Sequence, residues 1–173
     1  MVKRNRGYTL AELLIASAIL AVIFSLGSSL LIKVNTFFKI SVAKVEVQRD
    51  VRTLMELMTR EIRDAQASTV SLSRLNASQP PYSYIQFDAL PGYRGRFWQD
   101  GQKLIMEKLP ANPGSPSQPP TVMSKDLRSL MFLYPSTDNP NLLTILITLE
   151  KRDGTGRTQS VQLGGETIRL LNG

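Results

Sequence analysis

Residues 7–32 read Gly7-Tyr8-Thr9-Leu10-Ala11-Glu12 and then LLIASAILAVIFSLGSSLLI. The second part, residues 13–32, is twenty residues without a charge, and a helix of that length covers roughly 30 Å, the thickness of a bilayer's hydrocarbon core. The run therefore predicts a single membrane span rather than a buried core helix. A secretory signal would need a shorter apolar run ending in a small-residue cleavage site. The one A-x-A here, Ala16-Ser17-Ala18, lies inside the run, where a cut would leave too little apolar core. Lys3, Arg4 and Arg6 stand just ahead of the run, so the positive-inside bias predicts a cytoplasmic amino terminus with everything after residue 32 on the other side.

The rest of the composition narrows the chemistry. At 173 residues and 42% apolar content the chain has the material for one ordinary domain. It contains no cysteine and no histidine, which removes thiol nucleophiles, disulfide frameworks, imidazole bases, zinc clusters and haem ligation together. Of the net charge of +7, three units sit in the first seven residues, so a chain starting at Tyr8 would carry only +4.

Glu12 is the unusual residue of the opening stretch, because a carboxylate drawn to the bilayer centre costs about 2.5–3.5 kcal/mol. Standing at the edge of the span, it can snorkel to the headgroups or meet a cation in the membrane. Ser17, Ala21, Ser25 and Ser29 recur every fourth position and draw a smooth stripe along one helix face. Such a stripe suits close helix approach; small residues simply tolerated in a diluted span are the other reading.

No proline occurs before Pro80, and the apolar residues Ile40, Ala43, Val47, Val51, Leu54, Met58, Ile62 and Ala65 recur at three- and four-residue steps. That spacing predicts a helix continuing to about Ala67 with one apolar face, used against its own domain, against neighbouring subunits, or both. Glu56 and Arg60 are spaced for an i,i+4 pair. Beyond Ala67 the pattern turns to short β-like runs at 69–72, 84–87, 96–98, 103–106, 130–134, 142–149, 158–163 and 167–171, with hairpin signals at Asp100-Gly101 and Asp153-Gly154. These predict an antiparallel sheet. Gly164-Gly165 reads as a turn, and the proline-rich residues 110–120 as a surface loop.

A G-[FY]-T-L-x-E sequence placed between a short basic leader and an apolar span resembles the amino-terminal signature of type IV prepilins and pseudopilins. The resemblance implies that a prepilin peptidase cuts after Gly7 on the cytoplasmic side and that the new amino group of Tyr8 is methylated. It also implies that Glu12 neutralises the amino terminus of a neighbouring subunit during assembly. Many relatives carry Phe where this chain has Tyr8, and many have a proline within the span that is absent here, with Gly27-Ser28-Ser29 as a candidate soft point. The implied fold is α+β and pilin-like: residues 1–7 a leader, 8–32 a transmembrane helix, 33–67 an amphipathic helical stem and 68–173 a β-rich globular domain outside the cytoplasm. The arginine-rich segment 47–67, Tyr84-Ile85-Gln86-Phe87 and Phe97-Trp98-Gln99-Asp100-Gly101 are similar to minor pseudopilin J of type II secretion and to W-type minor pilins.

By that resemblance the chain is a single-pass inner-membrane subunit, with its carboxy-terminal domain periplasmic or extracellular. It would initiate or cap a type IV pilus or a type II secretion pseudopilus. Its partners would be prepilin peptidase, other minor and major pilins or pseudopilins, and inner-membrane lipid; no enzyme activity, cofactor, metal or nucleic acid is expected. The competing class is a membrane-anchored binding module, an adhesin or DNA-uptake pseudopilin, gripping an external ligand with its outer domain. Asp126, Asp138 and Asp153 could offer oxygen ligands to calcium but read more simply as solvated loop carboxylates. Tyr93, Arg94, Arg96, Phe97 and Trp98 mix aromatic and basic residues as nucleic-acid surfaces do, and are read here as core packing with a wet edge.

Overall fold

A computed structural model describes residues 7–90, 92–110, 118–136, 139 and 141–170. By its internal contacts the chain divides into two units, Met1–Val42 and Ala43–Gly173. Helix α1 (Leu10–Arg63) contributes its first part to one and its remainder to the other.

In the first unit none of the described residues is buried. Leu13, Ile19, Phe24, Leu30 and Ile32 are each more than half exposed, as lipid-facing side chains would be. Helix α1 is long and apolar enough to cross a membrane. It is helical through Gly27-Ser28-Ser29, so the expected soft point does not break it. The hydroxyls of Ser17, Ser28 and Ser29 donate to the carbonyls of Leu14, Ser25 and Leu26, and that of Thr36 to Ile32. Satisfying these groups within the helix lowers the cost of placing them in hydrocarbon.

In the second unit the apolar stripe becomes a core face. Ala43, Val47, Val51, Leu54, Met58, Ile62 and Ala65 are all buried, joined by Met55 and Thr59; only Ile40 of the expected set stays exposed. The helix ends at Arg63, short of the expected Ala67, because the next backbone groups are taken by a strand. Gln66 N–H donates to Asp88 O, Leu90 N–H donates to Asp64 O, and Ala65 bridges Ala89. Arg60 approaches Glu61 at 3.9 Å rather than pairing with Glu56, and Glu61 is itself held at the sheet by Lys108 and Tyr93.

A 3₁₀ turn (Ala67–Thr69) leads, among the described residues, to eight antiparallel strands: β1 (Ser71–Ser73), β2 (Tyr84–Ala89), β3 (Tyr93–Asp100), β4 (Lys103–Pro110), β5 (Thr121–Ser124), β6 (Leu127–Leu133), β7 (Leu142–Arg152) and β8 (Thr158–Arg169). They form two sheets, ordered β1-β2-β3-β4-β5 and β6-β7-β8, rather than one. The Gln99 side chain stands in for backbone pairing where β3 meets β6. Its Nε2 donates to Arg128 O and its Oε1 accepts from Leu130 N–H. Phe132 N–H donates to Tyr82 O nearby. The core joins Met58 and Ile62 to Ile85, Phe87, Phe97, Phe132 and Ile145.

Both expected hairpins form. Gly101, at φ +57°, opens the two-residue link between Asp100 and its partner Lys103. Asp153 Oδ1 accepts the N–H groups of Thr155 and Arg157 at the β7–β8 turn. The expected turn at Gly164-Gly165 does not form: both residues lie inside β8, which merges the two predicted runs. A Cβ on Gly164 would fall 2.5 Å from Val51 Cγ1, so the missing side chain there serves helix–strand contact rather than a bend. β5 was not expected, and β4 runs on past Met106 to Pro110. Most of the expected loop at 110–120 lies outside the described residues.

Candidate functional site

Gly7 is the first of the described residues. Gly7, Tyr8 and Thr9 are non-helical and α1 starts at Leu10. Gly7 has open space around it, and Tyr8 is 86% exposed. Lys3, Arg4 and Arg6, expected to belong to a leader, lie outside the described residues.

Glu12 is occupied by its own helix. Its Oε2 accepts the Thr9 N–H at 2.9 Å and the Thr9 hydroxyl at 3.1 Å, while Thr9 Oγ1 accepts the Glu12 N–H at 3.3 Å. This reciprocal arrangement is a capping box: the first-turn donors have no intrahelical partners, and two of them are satisfied by side chains three residues apart. The carboxylate also stands where the helix dipole favours negative charge. The motif thus fixes where the helix begins, at Leu10, three residues after Gly7. Thr9 was not singled out from the sequence, although T-x-x-E ahead of an apolar run is a capping signature. The whole group is exposed, so Glu12 is accessible to a cation.

In the second unit the aromatic and basic residues of β3 separate by strand alternation. Phe97 points into the core and Tyr93 faces the helix, donating its hydroxyl to Glu61 Oε2 at 2.7 Å with Lys108 Nζ 5.0 Å from its ring centroid. Burial and the adjacent carboxylate push the Tyr93 phenol well above its ordinary range. Burial works against the Glu61 carboxylate, yet hydrogen bonds from Lys108 and Tyr93 hold its pKa below the usual value. Arg94, Arg96 and Trp98 occupy the opposite face; Trp98 is therefore outside the core, contrary to expectation. Asp126 pairs with Lys151 and Asp153 caps its own turn, while Asp138 lies outside the described residues. Among the described residues no group of three or more acidic side chains is arranged to hold a metal ion.

Residues 2–28 match the family described as the prokaryotic N-terminal methylation motif. The amino terminus is thus type IV prepilin-like, and together with the apolar helix it fits a membrane-anchored substrate of prepilin peptidase. No curated protein and no solved structure matches the chain.

Proposed function

We propose that the chain is a minor pilin or pseudopilin: a structural, non-enzymatic subunit cut after Gly7 by prepilin peptidase and methylated on the Tyr8 amine. The observation that carries this reading is the methylation motif over residues 2–28 coinciding with a helix that begins at Leu10 and carries no charge from Leu13 to Ile32. Residues 8–32 anchor the subunit in the inner membrane, residues 33–67 form the stem, and residues 68–173 lie on the outer side and select partner subunits.

Cleavage creates an α-amino cation with a pKa near 8. Glu12 of a neighbouring subunit offers that cation a carboxylate at the membrane edge, and two opposite charges leaving water together have reason to pair. Such pairing sets the axial register of one subunit on the next, as initiating or capping a pilus or a type II secretion pseudopilus requires. The Thr9–Glu12 box uses the Thr9 N–H and not the Tyr8 nitrogen, so processing leaves it intact.

Mass spectrometry of the protein purified from its native host tests the reading. A mature chain beginning with N-methylated Tyr8 is expected; retention of Met1, or a cut elsewhere than between Gly7 and Tyr8, would overturn it.

A further inference from the structure

The outer face of the five-stranded sheet carries a second site, independent of the amino-terminal motif. Register places Tyr84 opposite Trp98, Trp98 opposite Ile105, and Ile105 opposite Val122. These four residues form one row across four neighbouring strands. Their side chains share the face away from the core because Ile85, Phe97 and Leu104, one residue along, are fully buried. At 4.7–4.9 Å per strand the row is about 14 Å long, room for about three pyranose rings.

The Tyr84 and Trp98 rings are 6.4 Å apart and tilted by 36°, each only partly buried, and Val122 is 44% exposed. Trp98 is the chain's one tryptophan. Tyr84, Trp98 and Ile105 are each only partly buried, so the row keeps apolar surface within reach of a ligand.

A polar row runs beside the shelf. Gln86 Oε1 accepts from Tyr84 Oη at 3.1 Å and from Arg96 Nε at 3.0 Å, and Arg96 Nη1 meets Glu107 Oε2 at 3.1 Å. This leaves Gln86 Nε2 and Arg96 Nη2 as donors without partners among the described residues. In the next row Arg94 is matched by Asp88 at 2.7 Å. The arginines of this face are therefore neutralised within it, which removes the cationic field that an anionic polymer would need. What remains is an aromatic shelf, whose electron-rich ring faces attract the polarised C–H edge of a sugar, beside oriented donors and acceptors for hydroxyl groups.

We infer that this face is a binding platform for a neutral oligosaccharide, its rings lying on Tyr84 and Trp98 and its hydroxyls meeting Gln86, Arg96 and Glu107. The inference does not depend on the amino-terminal processing.

The test uses the full chain in a phosphocholine detergent, free of sugar headgroups, with Trp98 emission as the reporter. Cellohexaose, N-acetylglucosamine hexamer, maltohexaose and a thymidine decanucleotide are titrated in turn. A saturable emission change is expected with at least one hexasaccharide, weakened at least tenfold in Tyr84→Ala and unchanged in Leu163→Ser, which lies on the other sheet. Val122→Lys, an exposed substitution at the rim, supplies the same readout should Tyr84→Ala fail to fold, and it too should weaken binding tenfold. No response to any hexasaccharide, a response to the decanucleotide alone, or sugar binding unaltered in the folded shelf variants would overturn the assignment.

Discussion

Replacing Gly164 by Ala asks whether β8 lies against the helix as described. The new Cβ would stand 2.5 Å from Val51 Cγ1 and 3.3 Å from both Ile147 Cγ2 and Met55 Cγ. Val51 cannot readily swing aside, because a β-branched side chain in a helix has essentially one χ1 rotamer, and Val51 is itself buried. Either the strand shifts or the rotamer is forced, and overpacking of this kind costs about 1–3 kcal/mol. Against it works the reduced freedom of the unfolded chain, worth about 0.4–1 kcal/mol for Gly to Ala. The steric term is larger, so a net loss is expected. In a chain of this size each kcal/mol lowers Tm by about 2–4 °C, readable by thermal melting in detergent followed through Trp98. Gly165→Ala is the internal control: its Cβ would meet Leu146 Cδ2 at 2.9 Å, but that is the tip of a flexible, partly exposed side chain that can rotate away. Gly165→Ala should be neutral or slightly stabilising. The double variant Val51→Ala/Gly164→Ala should be less destabilised than the two single changes added together. A Gly164→Ala protein as stable as the parent would refute the placement of Val51 over β8.

Thr9→Val removes the cap oxygen and should loosen the first helical turn by about 0.5–2 kcal/mol, seen as faster hydrogen exchange at the Glu12 amide, whereas Thr9→Ser should restore protection. Glu12→Ala should leave cleavage after Gly7 in place but impair incorporation into filaments; normal filament yield would count against pairing with a neighbour's amine. Gln99→Leu should cost about 1–3 kcal/mol, measured by urea unfolding, since the buried Leu130 N–H and Arg128 carbonyl lose their partner. Hydrogen bonds from Arg152 and Thr158 hold the Glu150 carboxyl at about 2, below the ordinary 4.5. A depressed folded-state pKa stabilises fully above the unfolded value and is lost as the pH falls through the folded one, so stability should decline between about pH 4.5 and 2. Glu150→Gln should flatten that decline.

What could be read from residues alone was whatever depends on near neighbours. The uncharged run at 13–32, the three- and four-residue stripe from Ala43 to Ala65, and the Asp-Gly turns each carry their signal within a few positions, and each appears in the structure. What stayed hidden depends on pairing between distant segments. Nothing local in residues 121–124 says that they will pair with β4, and nothing local says that β6 will leave the first sheet to join β7. Gly164-Gly165 looks like a turn until the helix pressing on it is known. The outward face of Trp98 follows from the phase of alternation, which Phe97 and Gln99 fix only once the core is assembled. Thr9 is a different case: its signal was present, but Glu12 drew attention as a lone carboxylate, and a lone carboxylate suggests a distant partner before a near one.

The serines of the first unit bear on how such a helix behaves beside its copies. Hydroxyls whose protons are turned back on their own backbone have none left to donate to an adjacent rod, so Ser17, Ser28 and Ser29 lend smoothness with little stickiness. In the proposed assembly lateral grip would then be left to shape, and the acidic residue at the top of the run would be the point where sliding stops. A rod built this way would be drawn lengthwise past companions with few polar contacts to break, and would come to rest at a single notch.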